Sequence, residues 1–149
     1  MIMYPLKKLE REKKMLNSRF DFMGIDQDNK RFILEVKSVP LCQDEDAFFP
    51  DGYRKKKTDI ISPRALKHIQ ELQQIKEMHP DYRTILCFVV QRSDATSFRI
   101  SDNDPIYKDA VKEAQSKRRG NHSSTNHLES LRTSYVGGMV AFGTTIIIY

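Results

Sequence analysis

Apolar and polar positions divide this chain into short extended runs and two amphipathic helices. Phe20 to Ile25 reads as a short strand closed by the polar turn Asp26-Gln27-Asp28-Asn29, with Phe32 to Val39 as its hairpin partner. Pro40 ends that partner because it has no amide to give to a ladder. Ser62-Pro63 opens a predicted helix, with serine as N-cap and proline at the first helical position. Leu66, Ile69, Leu72, Ile75 and Met78 form its apolar stripe, and Pro80-Asp81 breaks it. Thr84 to Val90 is apolar throughout, the pattern of a strand covered on both faces in a parallel or mixed sheet. A second helix is predicted from about Asp104 to Lys117, carrying Ile106, Tyr107, Ala110, Val111 and Ala114. Arg11 to Leu16 is so charged that helix and edge strand both fit. Gln43 to Ser62 reads as one long loop, a kind of segment that is often functional. The apolar run Tyr135 to Tyr149 reads as a terminal strand. It is shorter than the roughly 20 residues of a membrane helix and holds three glycines.

One pair of residues breaks the pattern. In Phe32-Ile33-Leu34-Glu35-Val36-Lys37-Ser38-Val39 two charges sit inside a run otherwise fit for burial. Alternation sends Glu35 and Lys37 to one face and Leu34 and Val36 to the other. Burying either charge alone costs several kcal/mol, so a compensating partner is required. Asp21, between Phe20 and Phe22 on the preceding strand, can face Glu35 if the strands pair. Two carboxylates, waters and a substrate phosphate suit a hard cation such as Mg²⁺. Such an ion polarises phosphorus and helps deprotonate water, and Lys37 on the same face could offset charge in the transition state. From the tripeptide alone, a surface salt bridge on an edge strand is favoured over a catalytic pair.

Composition narrows the setting without deciding the chemistry. The 149 residues suit one domain with a real core, and 25 Lys and Arg against 20 Asp and Glu leave a net charge of +5, compatible with a polyanionic partner. Cys42 and Cys87 form no CxxC, so neither a zinc site nor a disulfide framework is indicated. The N-terminus lacks an apolar leader core. An intracellular setting, cytoplasmic or nuclear, is therefore expected, with no membrane partner.

The order Asp, then Glu-x-Lys on the next strand, resembles the PD-(D/E)XK nuclease superfamily. Longer segments carry a more specific resemblance. Asn17-Ser18-Arg19-Phe20-Asp21-Phe22-Met23, Leu34-Glu35-Val36-Lys37-Ser38-Val39, Phe49-Pro50-Asp51 and Arg64-Ala65-Leu66-Lys67-His68-Ile69-Gln70-Glu71-Leu72 are similar to successive motifs of the sugar fermentation stimulation protein family (SfsA). So are Phe88-Val89-Val90-Gln91-Arg92-Ser93-Asp94-Ala95 and Asp104-Pro105-Ile106-Tyr107. The resemblance covers roughly Asn17 to Ser116. It implies an α/β, restriction-endonuclease-like mixed sheet flanked by helices, DNA binding, and a nuclease role with Mg²⁺ or Mn²⁺. On that analogy Asp21 and Glu35 are the metal ligands and Lys37 is the catalytic lysine. Arg64, Lys67 and His68 then form a cationic patch on a helix near the site.

The chain departs from the family in three places. The family carries an N-terminal OB-like domain; here sixteen residues precede Asn17, so that domain is expected to be absent or cut down. Between Phe-Pro-Asp and the helix lie extra residues, including Arg54-Lys55-Lys56-Lys57, which fit a phosphate contact or a solvated loop equally. Residues 117–149 diverge, and Asn121 to Leu131 matches no family motif. The expectation is one SfsA-like C-terminal domain over 1–149 that contacts DNA, largely without sequence preference, through Arg19, Arg54, Lys55, Lys56, Lys57, Arg64, Lys67 and His68. A metal-dependent nuclease and a non-catalytic DNA-binding regulator of sugar metabolism genes both stay open, as does self-association. His79, His122 and His127 have no partner at metal-ligand spacing.

Overall fold

The computed structural model describes residues 5–52, 55–119 and 145–148, with backbone alone for 118–119 and 145–148. Its elements run β1 (Leu6–Met15), β2 (Ser18–Asp26), β3 (Arg31–Val39), β4 (Cys42–Gln43), β5 (Asp46–Phe49), α1 (Pro63–Met78), β6 (Arg83–Val90), β7 (Ser97–Ile100), α2 (Pro105–Arg119) and β8 (Thr145–Ile148). A five-stranded sheet has the order β1-β2-β3-β6-β8, and a small one the order β4-β5-β7. The first three strands form an antiparallel meander, whereas β3 and β6 are parallel and bracket α1. β6 pairs antiparallel with β8.

The hairpin between β2 and β3 is set by Asp26. Its Oδ1 accepts from the amides of Asp28 and Lys30, both at 2.9 Å, and Asn29 takes a left-handed φ of 60°. Arg83 Nη1 lies 2.9 Å from Asp26 Oδ2 and ties the start of β6 to the same turn. Gly24 pairs with Phe32, and a Cβ there would stand 2.3 Å from the Lys8 carbonyl oxygen and 2.6 Å from the Phe32 ring. Glycine is required because backbone and ring close over that point.

Register fixes what each strand presents. Ile33, Glu35, Lys37 and Val39 pair with Thr84, Leu86, Phe88 and Val90, so these eight share one face. Ile33, Val39, Leu86, Phe88 and Val90 join a core completed by Phe20, Phe49, Tyr107, Val111 and the α1 residues Ala65, Leu66, Ile69, Leu72 and Ile75. Each fully buried Leu or Ile contributes about 1.5–3 kcal/mol. Glu35 and Lys37 therefore stand in a core row, covered by α1.

The structure revises several expectations. Arg11 to Leu16 belongs to edge strand β1 as far as Met15, and its exposed charges suit an edge with one sheet neighbour. Gln43 to Ser62 is not one loop: β5 lies within it and pairs parallel with β7, which local patterning did not reveal. Met78 ends the α1 stripe but is 54% exposed. Ser62 precedes α1 as N-cap, without a side-chain cap bond. In the polar tail, Asn121 to Leu131, with His122 and His127, lies outside the described residues, as do residues 135–144 and 149 of the terminal apolar run; Thr145–Ile148 is strand.

Candidate functional site

The β2–β3 ladder runs from Ile25↔Arg31 to Phe22↔Leu34, and the next step sets Asp21 against Glu35. There a side chain replaces the ladder: Asp21 Oδ2 accepts from the Val36 amide at 2.7 Å. On its other side, in the register of β1, Asp21 faces Glu12, whose φ is 52°. Both neighbouring strands thus depart from regular pairing at Asp21.

Glu35 is 3% exposed on a strand with β2 on one side and β6 on the other, which excludes the edge-strand surface pair. Its Oε1 accepts from Lys37 Nζ at 2.5 Å and from His68 Nδ1. Lys37 Nζ also lies 3.2 Å from His68 Nδ1. With Nδ1 donating to Glu35, that separation is the spacing of two donors sharing an acceptor, not a further bond. The second carboxylate oxygen, Oε2, is buried and has no hydrogen-bond partner among the described residues. Such an orphan in a buried carboxylate costs about 1–3 kcal/mol or more, which a donor or cation at Oε2 would offset.

Tyr107 on α2 closes this region. Its ring packs against Phe49 at 5.5 Å, and Phe49 against Phe88 at 5.3 Å, the residue paired with Lys37. Burial, with the charges of Glu35 and Asp104 adding to it, pushes the Tyr107 hydroxyl well above its ordinary range. The hydroxyl has no partner among the described residues.

His68 does not share the exposed surface of Arg64 and Lys67, as expected for a helix patch. It is 3% exposed, packs against Phe20 and joins Glu35 and Lys37. The signal was present in sequence, because Ala65, His68, Leu72 and Ile75 repeat at helical spacing and all are buried. Arg19, Arg64 and Lys67 do gather with His68, around a cleft of about 400 Å³ completed by Asn17, Ser18 and Pro63. Lys55, Lys56 and Lys57 are exposed on the loop before α1 and do not line it, and Arg54 lies outside the described residues. His79 stacks on Tyr82 at 4.5 Å, away from this cluster's contacts.

The donor set fits a hard cation. Glu35 offers the buried, unpaired Oε2, and Asp21 stands next in register with Oδ2 already fixed by an amide. Among the described residues there is no group of three or more His, Cys, Asp or Glu able to hold a metal, so the rest of an octahedron would come from water and substrate.

Residues 2–130 match the sugar fermentation stimulation protein RE domain. The chain belongs to the sugar fermentation stimulation protein family. The homolog from Shouchella clausii is 33% identical over 109 residues, 72% of this chain and 43% of the relative. The homolog from Aquifex aeolicus is 37% identical over 115 residues, 76% of this chain and 46% of the relative. The chain thus spans less than half the length of these SfsA relatives. The structure of Pyrococcus furiosus SfsA in complex with Ca²⁺ superposes with a TM-score of 0.59 and 24% identity, over 72% of this chain and 44% of that one. The fold is the restriction-endonuclease-like mixed sheet flanked by helices that the sequence predicts. Among the described residues, no helix is long and apolar enough to cross a membrane.

Proposed function

We propose that this SfsA-family chain binds DNA and carries a Mg²⁺- or Mn²⁺-dependent phosphodiesterase site of PD-(D/E)XK type at Asp21, Glu35 and Lys37. The observation that carries the reading is the divided use of Glu35: Oε1 engages Lys37 and His68, while buried Oε2 stays unpaired among the described residues, on a residue that continues the strand register opposite Asp21. Asp21 and Glu35 would hold the cation, which when bound supplies polarisation of a phosphoryl oxygen and a more acidic water. Lys37, its ammonium fixed by Glu35, offsets charge that develops on the phosphate oxygens. His68 holds Glu35 from the α1 side. Arg19, Arg64, Lys67 and the loop lysines Lys55 to Lys57 supply the phosphate contacts that govern nonspecific affinity. The Ca²⁺ complex of the Pyrococcus relative is in keeping with a divalent ion in the family.

The test is incubation with plasmid and single-stranded DNA, with and without Mg²⁺ or Mn²⁺. Cutting is expected with metal and lost in Glu35→Gln. Metal-dependent cutting that survives Glu35→Gln would overturn the assignment. The second reading, a non-catalytic DNA-binding regulator, is favoured by the lack of a three-ligand cluster among the described residues. It predicts salt-sensitive binding with no cleavage and no metal affinity.

A further inference from the structure

The cleft beside the carboxylate cluster is built differently from the cluster itself. Arg19, Arg64 and Lys67 line it together with Asn17, Ser18, Pro63 and His68, and no acidic residue does. Lys67 Nζ donates to the backbone carbonyl of Asn17 at 2.9 Å, a neutral partner that leaves its charge uncompensated. Arg64 has no carboxylate partner among the described residues, and Arg19 reaches Glu12 only at 4.0 Å, between two exposed side chains. That contact is weak in water.

The same wall contains the start of α1. This 16-residue helix has no acidic residue in its first turn and no side-chain cap from Ser62, so the positive end of its dipole is unmet. The Leu66 amide bonds the Ser62 carbonyl, whereas the amides of Arg64 and Ala65 come before the first intrahelical bond. Opposite them, at the start of β2, Ser18 is 5% exposed, and its hydroxyl has no partner among the described residues. A buried serine hydroxyl normally finds an acceptor, and here Ser18 belongs to the wall of a cleft that also holds Arg19, Arg64 and Lys67. An anionic acceptor satisfies the hydroxyl, the helix terminus and the three cations together.

His68 joins this cleft to the carboxylate cluster. Both of its contacts to the cluster use Nδ1, while the ring also lines the cleft. An anion in the cleft is therefore separated from the Glu35 carboxylate by the His68 side chain. Ser18, Arg19, Arg64 and Lys67 supply donors whichever proton His68 carries.

We infer that the cleft between the β1–β2 turn and the start of α1 is a subsite for one phosphate group of a nucleic-acid strand, held beside the carboxylate site, across His68, by Ser18, Arg19, Arg64 and Lys67. The inference rests on the proposed nucleic-acid reading for the source of the phosphate, and on the cleft itself for its chemistry. The phosphate is either an internal diester or a terminal monoester, and both present the same oxygens to these donors.

The experiment titrates inorganic phosphate, with chloride at matched ionic strength as control, into the ¹⁵N-labelled protein and follows the His68 ring and the Arg64 and Ala65 amides. Binding of 5′-phosphorylated and 5′-hydroxyl single-stranded oligonucleotides is measured alongside by fluorescence anisotropy, without divalent metal. Phosphate is expected to shift these resonances where chloride does not. Arg64→Gln and Ser18→Ala should each weaken phosphate binding by about tenfold, while Asp21→Asn leaves it in place. A preference for the 5′-phosphorylated strand that disappears in Arg64→Gln identifies the terminal monoester. Equal loss for both strands identifies the internal diester. Shifts of equal size with chloride, or phosphate binding unchanged in both Arg64→Gln and Ser18→Ala, would overturn the subsite. Absence of cleavage beside intact phosphate binding would remove the nuclease reading alone, so the two claims fail separately. Arg64 is exposed, so its variant is expected to fold; Lys67→Gln, also exposed, repeats the test at a second position.

Discussion

Glu35 and Asp104 are the most deeply buried carboxylates among the described residues, at 3% and 0% exposure, and they are used in opposite ways. Asp104 spends both oxygens on backbone amides: Oδ1 accepts from Tyr107 at the start of α2, and Oδ2 accepts from Ile61 just ahead of α1. It is an N-cap that also fixes the approach to the other helix, and it has no orphaned oxygen among the described residues. Glu35 binds the side chains of Lys37 and His68 through one oxygen and leaves the other unpaired among the described residues. A carboxylate buried for stability is saturated by the backbone. Glu35, with an open oxygen and side-chain partners instead of amides, is the carboxylate to which the proposal assigns a ligand.

The contrast breaks most visibly in Glu35→Gln. The amide oxygen can still accept from Lys37 and His68, so stability should change by only about 1–2 kcal/mol. Metal-dependent cutting should fall on the order of 100-fold or more. Urea unfolding beside the plasmid assay reads both, and a variant that is grossly destabilised would make Glu35 a structural residue like Asp104.

Asp104→Ala should show the reverse. One buried and one part-buried amide lose their acceptor and α2 loses its cap, at about 2–4 kcal/mol together, measured as a lower urea midpoint. Activity per folded molecule should stay as in the parent protein. Selective loss of cutting at full stability would erase the distinction between the two carboxylates.

Cys87 sharpens the comparison as a buried titratable group stabilised by neither kind of partner. Burial pushes its thiol up to about 11 from 9.0, so the folded state favours the neutral thiol. Unfolded chains ionise first as pH rises past 9, and stability drops by about 2 kcal/mol by pH 11. Tyr107, raised in the same direction, adds loss above the ordinary tyrosine range. The urea midpoint should fall over that interval, and Cys87→Val should flatten its lower part. A midpoint equally steep in Cys87→Val would assign the effect elsewhere.

Much of this was legible in sequence where local chemistry decides structure. Glu35 and Lys37 were placed on one face by alternation alone, and Asp104-Pro105 marked the start of α2. The parallel pairing of β5 with β7 was not legible, because two four-residue strands gain their register from each other across about fifty residues. β1 hid for another reason: an edge strand with exposed charges has no apolar alternation to read. His68 stands out in sequence, but its direction does not. Its neighbours Arg64 and Lys67 suggested a charged surface, whereas the helical repeat through Ala65, Leu72 and Ile75 turns it inward. Ser18 gave no sequence signal, since its unpaired hydroxyl is a product of packing.

The central claim is that Asp21 and Glu35 together hold a divalent cation. Calorimetric titration of the protein with Mn²⁺, repeated on Asp21→Asn, tests it directly. One Mn²⁺ bound per chain, lost or weakened at least tenfold in Asp21→Asn, is the predicted result. No heat of binding in the parent protein, or equal affinity in the variant, would contradict it and leave these carboxylates without the role assigned to them.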